Sequence, residues 1–240
     1  QRQMCIRDSV TPINYQDGDQ KLTTAITSGQ APDIIFEGPE RIVGNYAREG
    51  LMVDLSDLWT AGGSDIAEGI SSVSQLDGTY YMYPLSVAAH CMAINYEVFE
   101  AAGALQYIDE ETRTWTTDGF VSALRALTEA GFNPTGIVYC GAQGGDQGTR
   151  ALVNNLYSDY YVNEDGTSYN ANSENNVKAL TLLQTMVNDG SLAANASYAA
   201  ADELQSFANQ TCAVTFCWNY SNYTQYAEQT QSVSYTHLTL

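Results

Sequence analysis

The 240-residue chain carries 9 basic and 28 acidic side chains, which gives a formal net charge of −19 at pH 7. This balance argues against nucleic acid and anionic lipid as partners, because both are bound through clustered Lys and Arg. No apolar run approaches the roughly 18 residues that a membrane-spanning helix needs. The five cysteines and two histidines include no closely spaced set of metal ligands, so no metal site is expected.

The two ends of the chain are related through the genetic code. Residues 1–8, QRQMCIRD, can be encoded as CAG CGT CAG ATG TGT ATA AGA GAC, and the reverse complement of that DNA encodes VSYTHLTL, residues 233–240. A match over eight codons indicates one DNA element in opposite orientations, as a sequencing adapter would leave. We therefore expect 1–9 and 233–240 to be adapter translation and the natural protein to be cut at both ends.

Strand-like and helix-like segments alternate along the N-terminal half, which favours an α/β fold. The short apolar run at 34–36 predicts a buried strand, and residues 51–59 predict a loop or short turn. Helices are predicted over 20–28, 39–48, 64–73 and 96–102, and further strands over 79–83 and 88–95.

The C-terminal half continues the alternation and contains the most strongly periodic helices. Thr116 or Thr117 is a predicted N-cap, and Gly131 a predicted stop, for an amphipathic helix that reaches residue 130. Further helices are predicted over 151–157, 173–188, 200–208 and 220–229, and strands over 136–140 and 212–218. The stretch 141–150 predicts a polar, glycine-rich loop, but it lacks the G-x-x-x-x-G-K-[ST] pattern of a phosphate-binding loop.

Four blocks occur in a familiar order: PDIIFEGPERIVGNYAREGLMVDLSDL at 32–58, DGTYYMYPLSVAAHCMAINYEVFEAAG at 77–103, TWTTDGFVSALRALTEAG at 114–131 and FANQTCAVTFCWNYSNY at 207–223. Together they resemble the extracellular solute-binding proteins of ABC importers, in the sugar-binding, maltose-binding-protein-like branch (family 1). The resemblance implies an incomplete α/β fold of the periplasmic-binding-protein-like type II, with two lobes and a hinge. It places a partial first lobe with the first hinge crossover at 10–106, and a partial second lobe at 107–232.

The resemblance also implies a function. The chain is expected to act as an extracytoplasmic receptor that delivers a mono- or oligosaccharide to ABC permease subunits by cleft closure. It would work as a monomer without a cofactor, either as a membrane-anchored lipoprotein or in the periplasm. A receptor for a non-sugar solute, or one linked to a sensor, is the alternative. A glycoside-acting enzyme is not expected, because the chain carries no G-x-S-x-G elbow, metal cluster or dinucleotide fingerprint.

Side chains that could hold a solute follow the predicted strands of the first lobe. Sugar hydroxyls both donate and accept, so bidentate polar groups and aromatic rings suit them. The resemblance implies ligand roles for Glu37, Glu40 and Arg41 after the 34–36 strand, and for Tyr83 in a lining segment. Glu40 and Arg41 could instead form a solvated helix N-terminus. His90 could donate to a solute or be a hydrogen-bonded histidine of the core.

The second lobe offers two further groups. Gln143, Asp146, Gln147 and Arg150 lie in the glycine-rich loop, where the resemblance implies polar ligands. Trp218, Asn219 and Tyr220 follow the 212–218 strand, where it implies stacking on sugar, with Glu40 and Trp218 facing one cleft. A core tryptophan at a strand end is the alternative for Trp218. The cysteines of the natural region are expected to be buried free thiols.

Overall fold

The computed structural model describes residues 9–14, 17–135, 147–163, 167–194, 200–226 and 235–238. The chain divides into a smaller unit, Gly18–Val87, and a larger unit that combines Gln1–Asp17 with Ala88–Leu240. The lobe boundary expected at 106/107 stays a prediction, although residues 88–106 pack within the larger unit.

The smaller unit is mostly helical. Its helices are α1 (Gly18–Thr27), α2 (Pro39–Arg41, continued by a π-helix over Ile42–Ala47), α3 (Ser56–Gly62) and α4 (Glu68–Val73). An antiparallel hairpin joins β1 (Gln75–Leu76) to β2 (Thr79–Tyr80). Asp77 and Gly78 in its turn have φ values of 50° and 85°, as a two-residue hairpin loop requires.

The predicted strand at 34–36 is wrong. These residues form no strand, and Ile34 and Phe36 are 86% and 78% exposed. A strand needs a hydrogen-bonded partner, and within the described part of this unit only β1 and β2 pair. The predicted loop at 51–59 is also partly wrong, because α3 begins at Ser56, whose N–H donates to Asp54.

The larger unit is built on a three-stranded antiparallel sheet with the order β4-β3-β5. The strands are β3 (Cys91–Asn95), β4 (Val214–Trp218) and β5 (Tyr235–Leu238). The helices are α5 (Tyr96–Ala101), a 3-10 turn (Ala104–Tyr107), α6 (Thr117–Glu129), α7 (Gln147–Leu156), α8 (Glu174–Asn188), α9 (Ala200–Ala208) and α10 (Tyr220–Gln225). The predicted strand at 136–140 lies outside the described residues, and α10 ends four residues before the predicted 229.

The long helices begin and end where the sequence predicts. Thr116 and Ser173 are the N-caps of α6 and α8, and each hydroxyl accepts a hydrogen bond from a backbone N–H of the first turn. Gly131 follows α6 with a φ of 85°, a conformation that glycine adopts without steric cost. The local rules for capping therefore fix these boundaries.

The main core lies on one face of the sheet. Met92 and Ile94 of β3, with Val214 and Phe216 of β4, pack against helices α5 to α8, whose buried residues include Phe99, Phe120, Leu124, Leu127, Leu152, Leu156, Leu183 and Met186. A second, smaller cluster contains Ala93, Phe207, Cys212 and Trp218. Ala93 alternates with Met92 and Ile94 along β3, so the two clusters lie on opposite faces of that strand.

Strand β5 falls within the segment expected to be adapter translation. It pairs with β3 from Met92↔Leu238 to Asn95↔Tyr235 and so makes β3 the central strand. In the described part of the chain, no helix has the length and apolarity needed to cross a membrane.

Candidate functional site

Arg41 is held by acidic side chains of its own unit. Its guanidinium forms ion pairs with Asp19 of α1 and with Glu37, the latter at 3.2 Å, and its side chain is only 11% exposed. Glu40, at the start of α2, is exposed, where a negative charge is favourable beside the helix N-terminus. Of these three predicted ligand residues, Glu40 is therefore the most accessible to a solute.

Tyr83 belongs to an aromatic cluster centred on Trp59. Its hydroxyl donates to the carbonyl of Gly62 at 2.9 Å, and its ring lies 5.5 Å from that of Trp59. Trp59 stacks on Tyr80 at 4.2 Å and donates through Nε1 to the carbonyl of Met82 at 2.8 Å. The loop or short turn predicted over 51–59 gave no indication of this cluster, because Trp59 lies on the helix α3.

A surface pocket of about 320 Å³ adjoins the Trp59 cluster. The wall combines the Trp59 and Tyr80 rings with the hydroxyl side chains of Ser56, Thr60 and Ser71. Aromatic rings beside hydroxyl groups suit a small polar organic molecule. The spacing of a tryptophan and a tyrosine that are 21 residues apart gave no signal of this pocket in the sequence.

His90 lies just before β3 and is exposed. The alternative of a hydrogen-bonded core histidine is therefore wrong. The strand predicted over 88–95 is also too long at its start, because β3 begins only at Cys91. Exposure leaves the imidazole accessible to solute, so a ligand role for His90 stays a prediction.

The glycine-rich loop is described only in part. Gln143 and Asp146 lie outside the described residues, and for Gln147 the structure describes only its place at the start of α7. Arg150 is exposed on α7, and its charge partly offsets burial and the charge of Glu203, which together raise the pKa of the Cys217 thiol in β4. Arg150 therefore lies close to the end of β4, where three other predicted ligand residues follow.

Trp218 is fully buried. Its ring packs edge-on against Phe207 at 5.1 Å and stacks on Tyr226 at 6.0 Å. In this arrangement the ring offers no surface on which a sugar could stack, and the alternative of a core tryptophan describes its position. The ligand role predicted for Trp218 would require the ring to become exposed.

A β-bulge explains why Trp218 packs in the second cluster and not in the main core. The pairs Ile94↔Val214 and Ala93↔Thr215 are in regular register, but Cys91 pairs with Trp218 where regular pairing would place Cys217. The one extra residue breaks the alternation of side chains along β4. Trp218 consequently lies on the same face as Ala93 rather than continuing the face of Val214 and Phe216.

The two residues after Trp218 differ in accessibility. The Asn219 side chain accepts from Asn222 N–H at 2.9 Å, and the Asn222 side chain accepts from Asn219 N–H at 3.1 Å, which forms a capping box for α10. Tyr220 is 74% exposed, and its ring lies 6.2 Å from that of Tyr223. The exposed ring at this strand end is thus Tyr220.

The thiols differ from the expectation in part. Cys91, Cys212 and Cys217 form no disulfide, but only Cys212 is fully buried, whereas Cys91 and Cys217 are partly buried and Cys140 lies outside the described residues. Burial, reinforced by the negative charge of Glu203, raises the pKa of Cys217 to about 12. A thiol of such pKa stays protonated at neutral pH and is a poor nucleophile.

Across the described ranges, no three His, Cys, Asp or Glu side chains group so as to hold a metal ion.

Residues 9–235 match the family model described as "Bacterial extracellular solute-binding protein". The chain is similar to the diacetylchitobiose binding protein DasA of Streptomyces coelicolor, with 33% identity over 110 residues. That alignment covers 46% of this chain and 24% of DasA.

Solved structures are similar over nearly the whole chain. An ABC transporter solute-binding protein from Thermotoga lettingae, bound with α-D-tagatose, matches with a TM-score of 0.79 and 16% identity, over 95% of this chain and 59% of that one. An ABC substrate-binding protein from Listeria monocytogenes, in complex with cycloalternan, matches with a TM-score of 0.63 and 25% identity, over 86% of this chain and 52% of that one. The chain therefore spans less than two thirds of the length of these relatives.

Proposed function

This chain belongs to the bacterial extracellular solute-binding protein family and has its α/β fold of the periplasmic-binding-protein-like type II; from that premise we propose that the complete protein is an extracytoplasmic receptor that delivers a carbohydrate to an ABC transporter. The family match over residues 9–235 carries the proposal. The sugar in DasA's name and the sugars bound to the two solved structures support a mono- or oligosaccharide as the solute.

The proposed mechanism is closure of two lobes, here assigned to 10–106 and 107–232, around one sugar. A solute drives closure only by the difference in its affinity for the closed and open states. The permease subunits then recognise the closed form. Delivery needs one bound receptor at a time, so we propose a monomer, held as a lipoprotein or free in the periplasm.

The proposed contacts follow from what the described side chains leave accessible. Tyr220 offers an exposed ring for the C–H face of a sugar. Glu40, His90 and Arg150 are exposed polar groups that could bond hydroxyls. Trp218 supports Tyr220 from the buried side of the same segment rather than stacking on sugar itself.

A thermal-shift screen of the complete protein tests the solute class. The panel contains diacetylchitobiose, tagatose, cycloalternan, a tripeptide and spermidine. A sugar at a hundredfold excess over its Kd should add about 2.7 kcal/mol to the free energy of unfolding, because it binds only the native state. Flat melting with every sugar, together with a shift for the peptide or spermidine, would overturn the carbohydrate assignment.

Two further measurements separate the proposed roles. Tyr220→Ala should weaken binding of the stabilising sugar, whereas Tyr220→Phe should keep it, because stacking uses the ring and not the hydroxyl.

We propose binding rather than catalysis because the matched family and DasA are described as binding proteins. Conversion of any panel sugar by the purified protein would contradict a receptor that releases its solute unchanged.

A further inference from the structure

The bulge in β4 places two residues opposite one. Phe216 and Cys217 lie opposite Met92, between the pair Ala93↔Thr215 and the pair Cys91↔Trp218. A bulge removes backbone groups from the regular ladder, and buried groups of that kind need another partner. The backbone N–H groups at this point of β4 therefore need an acceptor outside the sheet.

The carboxylate of Glu203 is that partner. It comes from the first turn of α9 and is 5% exposed. Its Oε1 accepts from the Thr215 hydroxyl at 2.7 Å and from the backbone N–H of Phe216, and the N–H of Cys217 also bonds to the carboxylate. One buried side chain thus holds three consecutive residues of the bulged segment.

A buried carboxylate is costly unless hydrogen bonds compensate for lost hydration. Burial raises the pKa of Glu203, while the bonds from Phe216, Thr215 and Cys217 act in the opposite direction. An apolar residue on α9 would avoid the cost of burial but would leave the Phe216 N–H unsatisfied. The carboxyl oxygen at this place therefore serves the geometry of β4 more than the packing of α9.

The segment that Glu203 holds leads directly into predicted ligand residues. One residue after Cys217 comes the inward-facing Trp218, and Asn219 then caps α10 and leaves Tyr220 exposed. Loss of the bulge would move each following residue by one position relative to β3. We propose that Glu203 is a positioning residue for the ligand segment 218–220, which it aims by holding the β4 bulge; this inference rests on the proposed function.

The test compares two substitutions in the complete protein. Glu203→Gln keeps a carbonyl oxygen for Thr215 and Phe216, whereas Glu203→Ala removes every acceptor. Ser173→Ala, which removes the α8 cap elsewhere in the same unit, is the control for lost stability without a change at β4. The probe is diacetylchitobiose, or whichever panel sugar stabilises the wild type most.

We expect Glu203→Ala to raise the Kd for that sugar by about tenfold or more, at a temperature where the variant stays folded, because a lost buried acceptor displaces the segment. Glu203→Gln should stay within about threefold of wild type, a difference of less than about 0.7 kcal/mol. Ser173→Ala should melt earlier yet bind unchanged. Wild-type affinity in Glu203→Ala, or an equal loss in Glu203→Gln, would overturn the inference.

Hydrogen exchange makes the inference testable without any sugar. Glu203→Ala should speed amide exchange over residues 216–222 while leaving 174–188 at the wild-type rate. If the wild type binds no panel sugar but is stabilised by the peptide or spermidine, the proposed function has failed; whenever no panel sugar binds, exchange alone decides about Glu203. Unchanged exchange over 216–222 would then overturn its positioning role.

Discussion

Asn176 offers a sharp test of how α8 holds the segment before it. The residue lies in the first turn of α8 and is fully buried. Its side-chain nitrogen donates to the carbonyl oxygens of Tyr160 at 3.1 Å and Asn170 at 3.0 Å. Asn176→Asp keeps the shape but puts an oxygen where the amide nitrogen stood, so that like partial charges would face each other.

The expected loss follows from the two bonds. Tyr160 O still accepts from the Asn170 side chain and Asn170 O from Ser173 N–H, so each lost bond costs only about 0.5–1.5 kcal/mol, which gives about 1–3 kcal/mol for Asn176→Ala. Asn176→Asp at neutral pH loses the same two bonds and also buries a charge, so it should be less stable than Asn176→Ala. The helix N-terminus favours the charge by only about 0.3–1 kcal/mol, which is too little to reverse that order.

The pH dependence has a definite sign. Burial and the two facing carbonyl oxygens raise the pKa of the introduced carboxyl above the value of about 3.9 that it has when unfolded. The folded state then binds a proton more tightly, so stability is greatest in acid and is lost as pH rises through the raised pKa. The protonated acid also donates one of the two lost bonds.

Urea unfolding followed by circular dichroism at pH 4.5, 6 and 8 measures these changes on the 240-residue chain. Relative to Asn176→Ala, the Asp variant should gain stability steadily as the pH falls, while the Ala variant follows wild type. An Asp variant whose free energy of unfolding at pH 8 lies within about 0.5 kcal/mol of wild type, no more than the smallest cost of one lost hydrogen bond, would refute the reasoning. So would an Asp variant that grows more stable with rising pH.

Three other outcomes follow from the described contacts. Burial and the charge of Glu203 raise the pKa of Cys217 to about 12, so Cys217 should resist iodoacetamide at pH 8, and Glu203→Gln should move the onset of alkylation to lower pH. Peptide mass spectrometry measures the labelling of each cysteine, and rapid labelling of wild-type Cys217 would contradict this prediction. Phe120→Ala should lower the free energy of unfolding, measured with urea, by about 3–5 kcal/mol, because the ring is fully buried. A loss below about 1 kcal/mol would mean that Phe120 is not packed in the core as described. Ser173→Ala should lower the free energy of unfolding by about 2–3 kcal/mol, because the hydroxyl both caps α8 by accepting from Asn176 N–H and donates to the Asp159 carboxylate, and Ser173→Thr, which keeps a hydroxyl, is the rescue.

Local chemistry made the helices of the larger unit predictable. Thr116, Ser173 and Gly131 act through neighbours within four residues, so the sequence alone contains the information. The family resemblance rested on the same kind of contiguous blocks, and the match over residues 9–235 confirms it.

Side-chain direction at the candidate site was less accessible from the sequence. Trp218 packs with Ala93 rather than with Val214 and Phe216 because a bulge shifts its register against Cys91, and the partner of that bulge, Glu203, lies on a different element. Ile34 and Phe36 form an apolar run that predicts burial, yet a strand also needs a partner that the run does not specify. Both cases depend on contacts between distant residues, which composition and periodicity do not encode.

The pairing of β3 with β4 also sets an order for folding. Cys91 meets Trp218 across 127 positions of sequence, whereas the β1–β2 hairpin closes within Gln75–Tyr80. Contacts of long sequence separation form slowly, because loop closure must precede any stabilising contact. During synthesis, residues Gly18–Val87 would emerge from the ribosome long before β4 does. Until then β3 exposes unpaired N–H and C=O groups, and this interval is when the nascent chain is most prone to aggregate.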